Sequence, residues 1–282
     1  MAELWGSLQF ELFLLKNDEP NAFAFKHEEV YIIGIHLSLF KLLESRIREQ
    51  VPNLKGSALA IIQAVQNCTP LTAEFLMYQI ITQFTFYHEL GHLHQLKHAD
   101  ELGLLCFEKY SLVEGAEFNQ VAHAMEIDAD LFAANQIALH ILQYWSDFAP
   151  EYKTKENLEA FISIASASIF LFFFELAGGW HDLYYLDYDH PHPLIRVSYI
   201  TDAIVSIAKQ SQQENVPKPD AKKCMSGSLL IAEQLLSEGT KNGLDEFVQE
   251  YMNYKTEIDG YVSEMKNFIP NVPFLIVNWY KP

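Results

Sequence analysis

At 282 residues the chain is long enough for one large domain or two small ones with a substantial buried core. Half of its residues are hydrophobic and a fifth are charged, which excludes an extended, disordered composition. A formal net charge of -18 argues against nucleic acid or an anionic membrane surface as the main partner.

Cys68, Cys106 and Cys224 are odd in number and far apart, so neither a disulfide framework nor a zinc knuckle is implied. The first twenty residues lack the basic region and small-residue cleavage site of a secretory signal, and a cytoplasmic location is expected.

In chain order, residues 22–35 read as two extended runs around a polar turn at 26–29, a β-hairpin. From His36 the period becomes helical, with Leu37, Phe40, Leu43 and Ile47 in one stripe up to the break at Val51-Pro52. A second helix covers about 56–67. Thr69-Pro70 looks like an N-cap and first helical position for a helix running to His98, apolar nearly all round and so suited to a core. Another long helix covers 117–145. It is followed by a break at Pro150 and an apolar helix over 155–176 that ends at Gly178-Gly179.

Within that apolar helix, residues 160–174 carry no charge. Fifteen residues fall short of the roughly 20 that span a bilayer. Ser163, Ser166, Ser168 and the acidic flanks fit a buried helix and no integral membrane segment, with peripheral membrane contact as the alternative left open. Tyr184, Tyr185 and Tyr188 read as packing residues. A helix over 194–209 follows, then a polar connection at 210–227, and two further helices with a tail in 228–282. The expected class is mainly α with a small N-terminal β-hairpin or sheet, an α+β arrangement. Residues 1–209 would be the main domain, with 228–282 packed on it.

The chemistry concentrates in His88-Glu89-Leu90-Gly91-His92, an H-E-x-x-H sequence. Helical residues four apart differ by about 40° in direction and about 6 Å along the axis, so two imidazoles can reach one ion from one face. Glu89, on a neighbouring face, can then deprotonate a water that the ion has made acidic. Paired histidines and a glutamate inside an apolar helix are costly without such a purpose.

A third ligand is needed, and two are available. His98 has metzincin spacing, but Gln95 stands where that pattern has a glycine, and on an unbroken helix His98 lies about 15 Å along the axis from His88. His94 points to yet another face. The rival is Glu126, with Asp130 one turn on and on the same helix face. Asp128 points elsewhere and is expected to be solvated.

Glu126 with Asp130 resembles the gluzincin pattern, in which the glutamate completes the metal site and the aspartate orients a ligand histidine. His190-Pro191, with Arg196 six residues after the histidine, resembles the HtpX and CAAX-prenyl-protease branch of that class. So does the early segment Pro20-Asn21-Ala22-Phe23-Ala24-Phe25. The soluble Lit-type phage-exclusion peptidases are the nearest resemblance. It covers residues 20–200 and nothing in the C-terminal third.

The resemblance implies a zincin-like domain over 1–209 and Zn²⁺ held by His88, His92 and Glu126. It further implies Glu89 as general base, Asp130 behind a ligand histidine, and His190 with Arg196 at the oxyanion. His192 is the alternative to His190, though two residues too close to Arg196. An intracellular protein or peptide substrate follows. The other class of function, a zinc-stabilised interaction or regulatory protein without catalysis, has no need of Glu89.

Overall fold

The structure is a computed structural model that describes residues 8–104, 119–178, 183–186, 190–211, 216–236 and 243–278. Cys106, Gly179 and Tyr188 lie outside the described residues. The hairpin is present: β1 (Phe10–Leu15) precedes β2 (Ala22–His27) and β3 (Val30–His36), and β2 and β3 pair antiparallel. Their turn passes through Glu28, which takes a φ of 53°. Phe23 lies opposite Gly34, and a Cβ at Gly34 would meet the Phe23 ring at 2.4 Å. The glycine is what lets that ring lie flat across the strand.

β1 adds a third strand, parallel to β3, giving the order β1-β3-β2 and a mixed sheet. Most of β1 is exposed on both faces, so it lacks the apolar alternation that marks a half-buried strand. β2 is the other edge. Lys26 Nζ and Tyr31 Oη both reach Asp100 Oδ2, at 2.9 and 2.7 Å, and fasten this side of the sheet to the third helix.

The rest is helical: α1 (Leu37–Gln50), α2 (Gly56–Gln66), α3 (Ala73–Glu101), α4 (Gln120–Asp147), α5 (Lys155–Leu176), α6 (Pro193–Gln210), α7 (Ala221–Leu235), α8 (Gly243–Asn253) and α9 (Lys255–Phe268). α3 starts three residues later than Thr69-Pro70 suggests. Its cap is Thr72, whose hydroxyl accepts from Phe75 N, while Thr69 Oγ1 accepts from Leu71 N in the turn before it. α7 begins at Ala221, inside the stretch read as a connection, and three helices follow the polar segment rather than two.

α5 lies at the centre, packed against α7, α6, α2 and α3. It is long and apolar enough to cross a bilayer, yet every residue from Leu158 to Phe174 is buried inside the fold. Its serines are satisfied there. Ser163 Oγ donates to Glu159 O at 2.7 Å, Ser168 Oγ to Ile164 O at 2.7 Å, and Ser166 Oγ accepts from Thr201 Oγ1 at 2.8 Å.

α3 and α4 lie side by side. A Cβ at Gly91 would meet Ala129 Cα at 3.1 Å, so the two helices lie in close contact where H-E-x-x-H faces Glu126 and Asp130.

Candidate metal centre

His88 and His92 stand one turn apart on α3, and their Nε2 atoms are 3.1 Å apart. Glu126 comes across from α4, with Oε2 3.6 Å from His88 Nε2 and Oε1 3.2 Å from His92 Nε2. Ligand atoms about 2.0–2.1 Å from a tetrahedral ion lie roughly 3.3 Å from one another. The three groups therefore form a donor set spaced to hold a metal ion. Lone pairs converging in this way repel unless a cation or a proton lies among them.

The surrounding charges point the same way. Arg196 is the guanidinium beside Glu89, Glu126 and Asp130. In the metal-free protein a proton on His92 helps to balance these carboxylates, a role that a cation among the three donors would take over.

Asp130 is fully buried and organises the back of the site. It receives Arg196 Nε at 2.9 Å and Nη2 at 2.8 Å, and the Tyr199 hydroxyl. His88 Nδ1 lies 3.0 Å from Asp130 Oδ1, a short contact whose N–H is off the direct line. Arg196 Nη2 also lies 3.0 Å from Glu126 Oε2, and its guanidinium stacks over Phe173 at 4.0 Å. Arg196 thus spans Glu126 and Asp130, which accounts for its raised pKa despite burial.

Burial opposes the charged form of Glu126, but Arg196 and His92 beside it hold its carboxyl well below the usual range. Asp130 is depressed for similar reasons, by Arg196 and His88. Burial likewise works against a charged His92, yet Glu126 and Glu89 outweigh it and raise that ring to about 9. Glu89 is the exception among the carboxylates. Burial pushes its pKa up, and the neighbouring histidines offset this only in part.

His88, Glu89, His92, Glu126 and Arg196 line a cleft of about 1000 Å³. One wall is the segment from Pro20 through β2 to Lys26, and among the described residues the outer edge of β2 pairs with no strand. Phe172, Phe173, Met125 and Leu96 provide apolar surface beside the donor set. His190 also lines the cleft, with Nδ1 3.3 Å from Pro191 O. His192 has a different place: it is buried, and its Nδ1 accepts from Leu194 N at 3.1 Å as the N-cap of α6.

The structure thus brings His88, Glu89, His92, Glu126, His190 and Arg196 to one cleft, with Asp130 buried behind it. It does not bring His98 or His94. α3 continues unbroken through Glu101, and His98 Nδ1 donates to Phe274 O at 3.2 Å. The His94 ring packs against Phe132.

Asp128 departs from expectation. It is 4% exposed rather than solvated, and accepts from Gln95 Nε2 at 2.9 Å, Ile276 N at 2.7 Å and Val277 N at 3.2 Å. Its cover is a segment almost 150 residues further on, invisible to any local reading of α4. Gln95 was also missed as a site residue: its Oε1 lies 3.0 Å from His92 Nδ1. Its position three residues after His92, on the same helix face, was the available signal. Tyr199 sits behind Asp130 and carried no sequence signal at all.

Comparison with protein-family models, with curated proteins and with solved structures finds no match to this chain.

Proposed function

We propose that the chain is a zinc-dependent endopeptidase of gluzincin type, with a zincin-like domain acting on an intracellular protein. The observation that carries this reading is the juxtaposition of a His88–His92–Glu126 donor set with Glu89 in an open cleft beside an unpaired strand edge. The resemblance of the three motifs to the HtpX, CAAX-prenyl-protease and Lit-type peptidases supports it.

His88, His92 and Glu126 hold the ion. Zinc, when bound, supplies Lewis acidity toward the scissile carbonyl and makes water acidic near neutrality. Glu89 accepts the proton of the attacking water and passes it to the departing amine. Its place in the cleft beside the two histidines suits a group that must both take and release a proton. Asp130 keeps His88 directed at the site, and Arg196 offsets the charge of Asp130 and Glu126. His190, on the cleft wall, supports the developing oxyanion in this reading, with Arg196 as a cationic group lining the same cleft. The outer edge of β2, which pairs with no strand among the described residues, suits an extended peptide that it would bind by main-chain hydrogen bonds.

The test uses zinc-loaded parent and Glu89→Gln with a fluorogenic peptide library. The parent should cleave, and Glu89→Gln should retain zinc and fold but lose at least about 100-fold in rate, the scale of general acid–base catalysis. Equal turnover by both proteins would contradict the role of Glu89. Zinc-stabilised folding without cleavage of any peptide would favour the non-catalytic class.

A further inference from the structure

Gln95 and Asp128 take no part in the chemistry proposed above, yet they form a continuous buried hydrogen-bonded path from a metal ligand to the C-terminal segment. The path can be oriented without ambiguity. Gln95 Nε2 faces two oxygens, Met125 O at 2.9 Å and Asp128 Oδ2 at 2.9 Å, neither of which donates. Its amide nitrogen must therefore lie on that side, which turns Oε1 toward His92. Oε1 can only accept, so His92 Nδ1, 3.0 Å away, carries the proton. The other ring nitrogen, Nε2, is then the one left to bind an ion, and it is the one that faces Glu126 and His88.

Asp128 holds Gln95 in this orientation and is itself held by two backbone donors of the C-terminal segment, Ile276 N and Val277 N. Two more contacts seat that segment. His98 Nδ1 donates to Phe274 O, and Ile276 Cδ1 lies 3.5 Å from where a Cβ on Gly91 would stand. The segment thus closes the back of the helix pair at the level of the H-E-x-x-H turn.

We infer that Gln95 and Asp128 are positioning residues for His92, and that the C-terminal segment 274–278 completes this support, so that zinc affinity depends on chain more than 170 residues beyond the ligand it serves. The inference rests on the zinc reading above. Supporting groups of this kind are worth about 10- to 100-fold in metal affinity. By linkage, zinc must in turn steady the segment.

The test compares the full-length parent with Gln95→Met, which keeps volume but removes the acceptor, with Asp128→Ala, and with the double variant. Three quantities are read: zinc dissociation constant, the visible spectrum of bound cobalt(II), and amide exchange at Ile276 and Val277 with and without zinc. Each single variant should bind zinc about 10- to 100-fold more weakly and alter the cobalt spectrum. The double variant should lose little more than the worse single one, because both act through one path. Zinc should slow exchange at Ile276 and Val277 in the parent and not in Gln95→Met. A fold-only role would lower stability but leave the cobalt spectrum and the exchange response as in the parent.

Parent-like zinc affinity in Gln95→Met, or losses that multiply in the double variant, would overturn the linkage while leaving the zinc site intact. A parent that takes up no zinc would overturn both the linkage and the reading on which it rests.

Discussion

Asp130 carries more of the site than its place in the sequence suggests. It is the common partner of Arg196, Tyr199 and His88, and it has no exposed surface. Removing it takes from the buried Arg196 guanidinium its bidentate carboxylate partner, so Asp130→Ala should destabilise the metal-free protein by about 3–5 kcal/mol. Urea denaturation of the two proteins checks this, and a loss below about 1 kcal/mol would mean that the guanidinium finds other company. A second residue-scale prediction concerns pH. His94 is buried against Phe132, and that burial, with His98 and Lys97 nearby, lowers its pKa from 6.5 to about 4. A depressed folded value means that its neutral form contributes stability fully above pH 6.5, and that this is lost as pH falls toward 4. His94→Leu should remove the loss, up to about 3 kcal/mol, so parent and variant diverge as the metal-free proteins are denatured at decreasing pH across that window. Parallel curves would contradict it. At this scale H-E-x-x-H and the shared helix face of Glu126 and Asp130 could be read from spacing, whereas the choice of Glu126 over His98 and the places of Asp130 and Arg196 came from the resemblance of their motifs. Asp128 and Tyr199 could not, because what surrounds them comes from other parts of the chain.

The elements that matter most are α3 and α4, whose separation sets the reach of Glu126 toward the two histidines. Gly91 permits that separation. An added Cβ would press on Ala129 Cα at 3.1 Å and Ala129 Cβ at 3.2 Å, and a helix backbone cannot rotate out of the way as a flexible side chain can. Gly91→Ala should therefore cost roughly 1–2 kcal/mol net, overpacking outweighing the gain of about 1 kcal/mol in helix propensity. Thermal melting should show a lower Tm and zinc titration a weaker site. A raised Tm would mean that the pair has slack. The apolar helix α5 was readable almost to the residue, because a long uncharged run with acidic flanks marks it; the structure adds the Thr154 cap and unbroken burial. The start of α3 was not. Pro70 imitates a first helical position, but Thr69 is spent on the turn before it, and Thr72 with Glu74 in the first turn makes the better start. β1 was missed because an exposed edge strand needs no apolar alternation.

Across the whole molecule, the mainly helical class with a small N-terminal sheet follows from the sequence pattern, whereas the part played by the C-terminal third does not. That third returns to the back of α3 and α4, where Ile276, Val277 and Phe274 meet Asp128 and His98. Contacts so distant in sequence leave no periodic trace, so the sequence pattern placed this portion against the main domain without showing where it packs. In the structure the sheet lies along one side of the cleft and the C-terminal segment closes the back of the helix pair opposite the donor set. The central claim is that His88, His92 and Glu126 together hold one zinc ion. It is tested most directly by zinc content per chain in the parent, Glu126→Ala and His98→Ala, with circular dichroism to establish that each is folded. The account predicts about one zinc in the parent, little in folded Glu126→Ala and an undiminished amount in His98→Ala, as the three-ligand site requires. Zinc retained without Glu126, or lost with His98, would contradict it.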